Sequence, residues 1–332
     1  MPLRTRVHIG TFSLGNLRDP TVHGGLPRRS PFGKLRCAHH QHHPGFPHEH
    51  DGGSARLRGI AQRTEQIVAA GSYRTSDDRE VSVAAAVEAA RDGTRTHGPG
   101  PVEPAPSTPV RTVIEVTGES SLEAARRLGG TVAVLNFASA RNPGGGYLNG
   151  AQAQEEALCR ASALYTCLLR AREFYDHHRA HRDPFYTDRV IHSPAVPVFR
   201  DDRGRLLDEP YQAGFLTSAA PNAGVVLRTA PERAAELPAA LAVRAERVLE
   251  TAAAHGYRRL VLGAWGCGVF RNDPAQVAGA FRALLGPGGR FDGTFERVAF
   301  GILDRTPGGT VRAAFEHAFP KGAGRSAAQF QP

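Results

Sequence analysis

Two adjacent glutamates stand near a run of three glycines in the segment NFASARNPGGGYLNGAQAQEEALCRAS, residues 136–162. The glycines are Gly144, Gly145 and Gly146, and after seven further residues come Gln154, Glu155 and Glu156. Three consecutive glycines allow positive φ angles and a close approach of the backbone to a ligand. Acids at a helix start commonly serve only to complement the helix dipole. Behind a glycine loop at the end of a strand, however, they face an expected binding cleft, so we predict acid–base chemistry by carboxylates here.

A second glycine-containing loop follows another predicted strand, in LGAWGCGVFRNDP, residues 262–274. Its backbone N–H groups could cradle a phosphate or diphosphate, and the candidate donors are Gly266, Cys267, Gly268, Val269 and Phe270. No Gly-Lys-Ser/Thr follows, which excludes a P-loop, and the spacing does not fit the dinucleotide-binding fingerprint. The Cys267 thiol could be a nucleophile if amides activated it, but no histidine stands beside it, so we expect a small spacer residue.

An alternation of strands and helices must position these two loops. Predicted strands cover residues 112–116, 131–137, 189–193, 214–219, 259–265 and 297–303. Predicted helices cover residues 57–70, 83–91, 120–128, 155–173, 232–254 and 310–318, and a further helix begins at Asp273–Pro274. A capping box of Ser120 and Glu123 supports one of the helix starts. The alternation predicts a three-layer α/β/α domain with a mixed, mostly parallel sheet.

Composition divides the chain into four parts. Residues 1–55 are rich in His, Arg, Pro and Gly, and we predict that they form a disordered extension. Residues 56–110 are predicted to form an N-terminal helical segment with a proline-rich linker, residues 111–320 the catalytic domain, and residues 321–332 a flexible tail. The histidines of residues 37–51 match no closed four-ligand pattern, so we expect neither a metal site nor a cofactor.

The charge and the cysteines limit the class of protein. The 332-residue chain has a formal net charge of +9, but seven basic and three acidic residues fall in residues 1–55. The remainder is too weakly basic to indicate nucleic-acid binding by itself. No apolar stretch is long enough to span a membrane, no secretory signal is visible, and the four scattered cysteines fit a reducing compartment. We therefore expect a cytoplasmic monomer that does not bind membranes.

The order of the motifs is similar to that of a known enzyme family. The GGG run, the seven-residue spacer and the QEE triplet resemble the signature of poly(ADP-ribose) glycohydrolases, and residues 57–320 resemble their compact bacterial type. The stretches that carry the resemblance are NFASARNPGGG, GAQAQEEALCRASALY, VIHSPAVPVFRDD, LTSAAPNAG and LGAWGCGVFRNDP. The resemblance implies a macrodomain fold, plus an N-terminal helical extension, and macrodomains bind ADP-ribose.

The resemblance also implies roles for the motif residues. Glu156 matches the family's catalytic glutamate, and Glu155 matches the partner that contacts the ribose beside the scissile bond. The implied ADP-ribose-binding residues are Gly144, Gly145 and Gly146 over that ribose, then Gln154, and Gly266, Cys267, Gly268, Val269 and Phe270 around the diphosphate, with the Phe270 ring positioning the ribose. One position departs from general macrodomains, which read Val-Asn-Ala-Ala-Asn, because the second Asn is Ser139 here. The side chain that holds the corresponding ribose hydroxyl therefore stays open.

The spacing of the two glutamates limits the mechanism. Ordinary glycosidases place two carboxylates on opposite sides of the bond, whereas neighbours on a helix point about 100° apart. We therefore expect Glu156 alone to protonate the leaving ribose hydroxyl and then to deprotonate the attacking water. An oxocarbenium-like sugar, stabilised by the nearby diphosphate, would lie between the two steps, and the rate should fall at alkaline pH.

The expected activity is hydrolysis of the ribose–ribose bond of poly(ADP-ribose) from chain ends, with release of ADP-ribose. Two alternatives stay open. One is hydrolysis of another ADP-ribosyl linkage, such as one on modified nucleic acid or in O-acetyl-ADP-ribose. The other is a non-catalytic ADP-ribose reader, although binding alone does not need two acids facing an anionic ligand. A nucleic-acid-binding protein is a third reading that rests only on net charge.

Overall fold

A seven-stranded sheet organises the part of the chain that the computed structural model describes, residues 50–320. The strands are β1 (Ser72–Arg74), β2 (Glu80–Ser82), β3 (Arg95–His97), β4 (Val113–Thr117), β5 (Val132–Phe137), β6 (Val190–Arg200), β7 (Leu206–Ser218), β8 (Arg259–Leu262) and β9 (Arg297–Gly301). Strands β1 and β2 pair separately, and the others follow the order β3-β6-β7-β5-β8-β9-β4. Strands β7, β5, β8, β9 and β4 run parallel to one another. Strand β6 pairs antiparallel with both of its neighbours, β7 and β3. The prediction of a mixed, mostly parallel sheet is confirmed.

Helices cover both faces of this sheet. They are α1 (His50–Ala70), α2 (Ala84–Gly93), α3 (Ser121–Leu128), α4 (Gln154–Ala161), α5 (Leu164–Leu168), α6 (Arg172–Ala180), α7 (Ala223–Thr229), α8 (Leu237–Ala254), α9 (Pro274–Leu285) and α10 (Thr310–Ala318). In β5, Val132 and Val134 pack into one buried cluster, whereas Ala133 and Leu135 pack into another. Because successive side chains of a strand point to opposite faces, β5 is buried on both sides. This confirms the three-layer α/β/α architecture.

The prediction of one long helix over residues 155–173 is wrong. The chain instead forms α4, α5 and α6, with the first break at Ser162. Ser162 has an extended backbone that bridges to Val198 of β6, and its hydroxyl donates to the Leu158 carbonyl at 2.7 Å. A serine side chain that bonds nearby backbone groups competes with the helix ladder. The break ends α4 after about two turns, and the first of these turns lies at the strand ends.

Strands β6 and β7 are longer than the predicted strands 189–193 and 214–219, and they form an antiparallel hairpin. Asp201 closes the turn between them, because its Oδ1 accepts from the N–H groups of Arg203 at 3.0 Å and Arg205 at 2.8 Å. An aspartate that bonds the following backbone is a common way to hold such a turn. The hairpin packs against the side of α3. Tyr211 of β7 makes this contact, because its Oη donates to the Leu122 carbonyl at 2.9 Å.

Residues 56–110 make direct contacts with the sheet. Arg95–His97, inside the segment predicted to be a linker, pairs with β6 as an edge strand. Further along, the Val102 N–H donates to Glu250 Oε2 of α8 at 2.9 Å. Helix α1 begins at His50, so the last residues of the predicted disordered extension are helical. The division into a helical segment, a catalytic domain and tails stays a prediction.

The rest of the predicted extension and its histidine cluster, and the tail at residues 321–332, lie outside the described residues. Within residues 50–320, none of the helices combines the length and the apolar character that crossing a bilayer requires.

Candidate active site

Gln154 fastens the first turn of α4 to the end of β5. Its Oε1 accepts from the Phe137 N–H at 2.9 Å, and its Nε2 donates to the Leu135 carbonyl at 2.8 Å and to Ser121 Oγ at 3.1 Å. Both amide hydrogens are engaged, so the geometry gives this side chain a positioning role. A contact of Gln154 with ADP-ribose stays a prediction.

Glu155 is buried between β5 and the chain that follows it. Its Oε2 accepts from the Ser139 N–H at 2.7 Å, and its Oε1 accepts from Asn136 Nδ2 at 3.3 Å. Burial raises the pKa of Glu155 to about 8, and the charge of Glu156 adds to that rise, while the bonds from Ser139 and Asn136 oppose it. At neutral pH this carboxyl group therefore retains much of its proton, so the pair carries less than two negative charges.

Glu156 differs from its neighbour in having one anchored and one free oxygen. Its Oε1 accepts from the Gly146 N–H at 2.9 Å. Its Oε2 is buried and finds no hydrogen-bond partner among residues 50–320. A buried polar atom without a partner is costly, and in an active site it commonly awaits a ligand. The free oxygen is therefore the atom best placed to exchange a proton with a substrate.

The glycine run lies directly against both carboxyl groups. Gly145 has a φ of +59°, and a Cβ at this position would lie 2.4 Å from Glu156 Oε1 and 3.2 Å from Glu155 Oε2. The two carboxyl groups thus meet the same backbone point and do not stand on opposite sides of a sugar-sized gap. This arrangement agrees with the expectation that one glutamate performs both proton transfers.

Helix α1 supports the glycine loop from behind, a role that the sequence did not reveal. Tyr147 is almost fully buried, and its Oη donates to Glu65 Oε1 at 2.9 Å. A Cβ on Gly150 would lie 2.4 Å from the Ser54 carbonyl oxygen, so the helix and the loop touch there. No local motif marks these residues, because the contact joins positions more than 80 residues apart.

Asn136 is a second residue that the sequence analysis did not single out. It is fully buried and its Nδ2 donates to Thr217 Oγ1 at 3.1 Å as well as to Glu155. A signal did exist, because a polar residue inside the apolar run TVAVLNF must find buried partners. Asn136 therefore links the ends of β5 and β7 to the buried carboxyl group.

The second loop leaves the end of β8, the strand beside β5 in the sheet. Trp265 is buried and its Nε1 donates to the Ser218 carbonyl at 3.0 Å. Asn272 Nδ2 donates to the Pro221 carbonyl at 2.8 Å and to the Gly266 carbonyl at 3.2 Å. These bonds hold the two ends of the loop in place. Because parallel neighbours end at the same edge, this loop and the glycine loop lie at the same edge of the sheet.

Most of the predicted phosphate donors in the second loop are free. In the described part of the chain, no acceptor is found for the backbone N–H groups of Gly266, Gly268, Val269 and Phe270. The Cys267 N–H is engaged by the Ala264 carbonyl at 3.2 Å. Burial raises the pKa of the Cys267 thiol to about 12, which disfavours the thiolate that a nucleophile needs. The other four N–H groups are therefore available to bind an anion.

An aromatic pair stands at the tip of this loop. The rings of Phe270 and Tyr186 have centroids 5.9 Å apart, and the Phe270 carbonyl accepts from the Gly224 N–H at 2.9 Å. Tyr186 has a φ of +58°, a backbone conformation that is uncommon for a bulky side chain. Such outliers cluster at ligand sites. Tyr186 is therefore a further candidate for contact with a sugar or base, and no local motif marks it.

The raised pKa of Glu155 gives a prediction about stability. The folded protein holds this proton up to about pH 8, whereas an ordinary glutamate releases it near pH 4.5. The unfolded chain therefore binds fewer protons in this window, and the free energy of unfolding falls as the pH rises through it. The substitution Glu155→Gln should remove roughly 1–3 kcal/mol of that fall between about pH 5 and pH 9. Asn136, whose Oδ1 lacks a partner, can turn its amide to accept the glutamine N–H.

Thermal unfolding of both proteins across this pH range measures the effect. Glu232→Gln, at an exposed position, is the control and should keep the wild-type slope. Parallel curves for the wild type and Glu155→Gln would contradict the prediction.

Comparisons with known proteins agree with this site. Residues 61–201 match the family described as "Microbial-type PARG, catalytic domain". The structure is similar to poly(ADP-ribose) glycohydrolase (PARG) from Thermomonospora curvata, with 49% identity, a TM-score of 0.74, and coverage of 80% of this chain and 100% of that one. The same T. curvata enzyme bound to the inhibitor ADP-HPD gives 49% identity, a TM-score of 0.73 and the same coverage.

PARG from Deinococcus radiodurans in complex with ADP-ribose is similar at 44% identity and a TM-score of 0.65, covering 70% of this chain and 97% of that one. No curated protein matches the sequence. The chain belongs to the microbial-type poly(ADP-ribose) glycohydrolase family.

Proposed function

We infer that this protein is a glycoside hydrolase that cleaves ribose–ribose O-glycosidic bonds of poly(ADP-ribose) and releases ADP-ribose. The observation that carries the inference is the free, buried Oε2 of Glu156 beside a loop of unpaired backbone N–H groups. One feature supplies an acid–base atom and the other a cradle for a diphosphate. Family relatives have been seen with ADP-ribose and with the inhibitor ADP-HPD, which fits the same ligand chemistry.

The proposed reaction uses Glu156 twice. Glu156 must carry a proton when the substrate is bound, and its Oε2 gives that proton to the leaving ribose hydroxyl oxygen as the glycosidic C–O bond breaks, which leaves an oxocarbenium-like sugar. Water then attacks the anomeric carbon and returns a proton to the same oxygen. Oε1 stays bonded to the Gly146 N–H throughout, so the carboxyl group keeps its orientation. General acid–base help of this kind is worth roughly 10²–10⁴-fold in rate.

Glu155 and the second loop prepare the substrate for this step. Glu155 contacts the ribose beside the scissile bond, and its retained proton weakens the repulsion between the carboxyl pair and an anionic substrate. The free N–H groups at residues 266 and 268–270 bind the diphosphate, whose negative charge stabilises the developing sugar cation. The glycine run, with Gly145 against both carboxyl groups, covers the ribose.

The direct test is incubation of the purified protein with poly(ADP-ribose) and measurement of free ADP-ribose over time. Release of ADP-ribose from chain ends is the expected result. A folded protein that binds ADP-ribose but releases none from the polymer would contradict the inference. Release from O-acetyl-ADP-ribose or ADP-ribosylated nucleic acid in its place would identify another ADP-ribosyl linkage as the substrate.

We also propose that the protein acts as a cytoplasmic monomer. Cys159 and Cys167 are buried free thiols, which fits a reducing compartment.

The diphosphate cradle gives a prediction at Gly268. A Cβ at this exposed position meets no atom within 4 Å, so Gly268→Ala should leave the fold intact. The added methyl would stand where the diphosphate approaches the backbone, and ADP-ribose affinity should fall about tenfold, or 1.4 kcal/mol. Calorimetric titration measures the change. The matched control is Gly98→Ala, an exposed glycine that also has open space around it. Equal affinities for the two variants would contradict the cradle.

A further inference from the structure

A second concave surface lies away from the two loops, between α1, α3 and the turn of the β6–β7 hairpin. It consists of two adjoining depressions of about 340 Å³ and about 970 Å³. We call it the arginine groove, after its arginines Arg63, Arg74, Arg126, Arg200, Arg203 and Arg205. Nothing in the proposed reaction uses these residues.

Several of these guanidinium groups lack a counter-charge. Arg205 pairs with Asp201 at 2.7 Å and Arg74 with Asp78 at 3.2 Å. Among residues 50–320, no carboxylate lies within ion-pair distance of the remaining arginines, which are Arg63, Arg126, Arg200 and Arg203.

Five carboxylates line the groove beside its six arginines, those of Glu123, Asp201, Asp202, Asp208 and Glu209, so the unbalanced charge is local to the unpaired guanidinium groups. Glu123 Oε2 accepts from the Ser120 N–H as part of the α3 capping box, and burial raises the pKa of Asp202. Asp208 and Glu209 are exposed acids in the larger depression.

Arg200 is the feature that distinguishes the groove from an ordinary basic surface. It is only 5% exposed, yet it lines both depressions. Its Nε donates to Thr64 Oγ1 at 3.0 Å and its Nη1 to the Gly204 carbonyl at 3.0 Å. These neutral acceptors fix its direction without balancing its charge, and Arg63 repels it further. A buried unpaired cation is costly unless an anion joins it.

The groove is structurally close to the catalytic helix. The Thr64 hydroxyl that accepts from Arg200 donates to the Arg160 carbonyl at 2.7 Å. Arg160 lies four residues beyond Glu156 on α4, about 6 Å along the helix axis. The Arg200 guanidinium is therefore on the order of 15 Å from Glu156. Because the Thr64 link is buried, a polymer that is held at the active site would have to pass over the protein surface to reach the groove with another of its units.

We propose that the arginine groove binds the diphosphate of an ADP-ribosyl unit other than the one being cleaved. The proposal rests on the proposed function for the identity of the polymer. Guanidinium groups suit it because they bind phosphate oxygens in a forked geometry. The consequence is a preference for long polymer over free ADP-ribose that is independent of the catalytic step.

Binding measurements on the full chain with Glu156→Gln as background separate this site from catalysis. Arg63→Glu and Arg126→Glu are added singly, because both side chains are exposed and neither is needed to hold the fold. We expect each to weaken binding of long poly(ADP-ribose) about five- to twentyfold and to reduce its salt dependence. Affinity for ADP-ribose at the active site should change less than about twofold. Arg111→Glu, an exposed arginine outside the groove, is the control for net charge.

The outcomes are distinct. Unchanged polymer binding, equal weakening by Arg111→Glu, or equal weakening of ADP-ribose binding would overturn the proposal. Titration with ADP-ribose identifies the occupant, because a second equivalent that Arg126→Glu abolishes would show that free ADP-ribose also fills the groove. One equivalent, with polymer binding weakened, would restrict the groove to polymer. Hydrolysis of polymer by the wild-type protein is scored separately, so a failed reaction and a failed groove give different results.

Discussion

The substitution Glu156→Gln is expected to lower the rate of ADP-ribose release from poly(ADP-ribose) by roughly 10²–10⁴-fold. Glutamine keeps the size of the side chain and an oxygen that can accept from the Gly146 N–H, as Glu156 Oε1 does at 2.9 Å. It has no proton to give to the leaving hydroxyl oxygen and cannot accept one from water. The loss should therefore fall on kcat, while ADP-ribose affinity should change only a few-fold.

Steady-state rates and calorimetric titration of the same preparations measure both quantities. Glu232→Gln makes the same chemical change at an exposed position on the surface and should retain full activity. A Glu156→Gln protein with more than about a tenth of the wild-type rate would exclude this residue as the acid–base group.

Local sequence patterns were sufficient for much of the fold. The capping box of Ser120 and Glu123 places the start of α3 where it is observed, and Asp273 caps α9 as predicted. The apolar run over residues 131–137 is indeed a strand buried on both faces. In these cases the determinant lies within a few residues of the element. The break at Ser162 was missed because it depends on pairing with Val198, a contact across the sheet.

The candidate site likewise has features that local sequence patterns indicate and features that depend on distant contacts. Its two loops could be placed from sequence, because each glycine motif directly follows a buried strand and parallel strands end together. The residues that orient Glu155 and support the glycine loop could not be predicted from sequence. Asn136 reaches Glu155 across 19 positions, and Tyr147 meets Glu65 across 82. Only the folded chain shows that Glu155 is the buried, hydrogen-bonded carboxyl group and Glu156 the one with a free oxygen.

Gly145→Ala is expected to reduce hydrolysis about a hundredfold and to lower stability more than the same change at a left-handed glycine with open space around it. Gly145 has a φ of +59°, so any side chain there incurs the steric cost of the left-handed region, about 1 kcal/mol. The added Cβ would also lie 2.4 Å from Glu156 Oε1 and 3.2 Å from Glu155 Oε2. Both carboxyl groups are buried and hydrogen-bonded, so the methyl group must displace them and strain the bond from the Gly146 N–H to Glu156 Oε1. Displacing a catalytic group by about 1 Å is enough to cost two orders of magnitude in rate.

Gly256→Ala isolates the backbone cost. Gly256 follows α8 with a φ of +73°, and a Cβ there meets no atom within 4 Å. Gly256→Ala should therefore lower the free energy of unfolding by roughly 1 kcal/mol in chemical denaturation, and Gly145→Ala should lower it further because its methyl group also displaces buried carboxyl groups. Only Gly145→Ala should lose activity, because only its methyl group reaches the two glutamates. If Gly145→Ala kept wild-type turnover, the contact of the glycine loop with the carboxyl pair would have no part in catalysis.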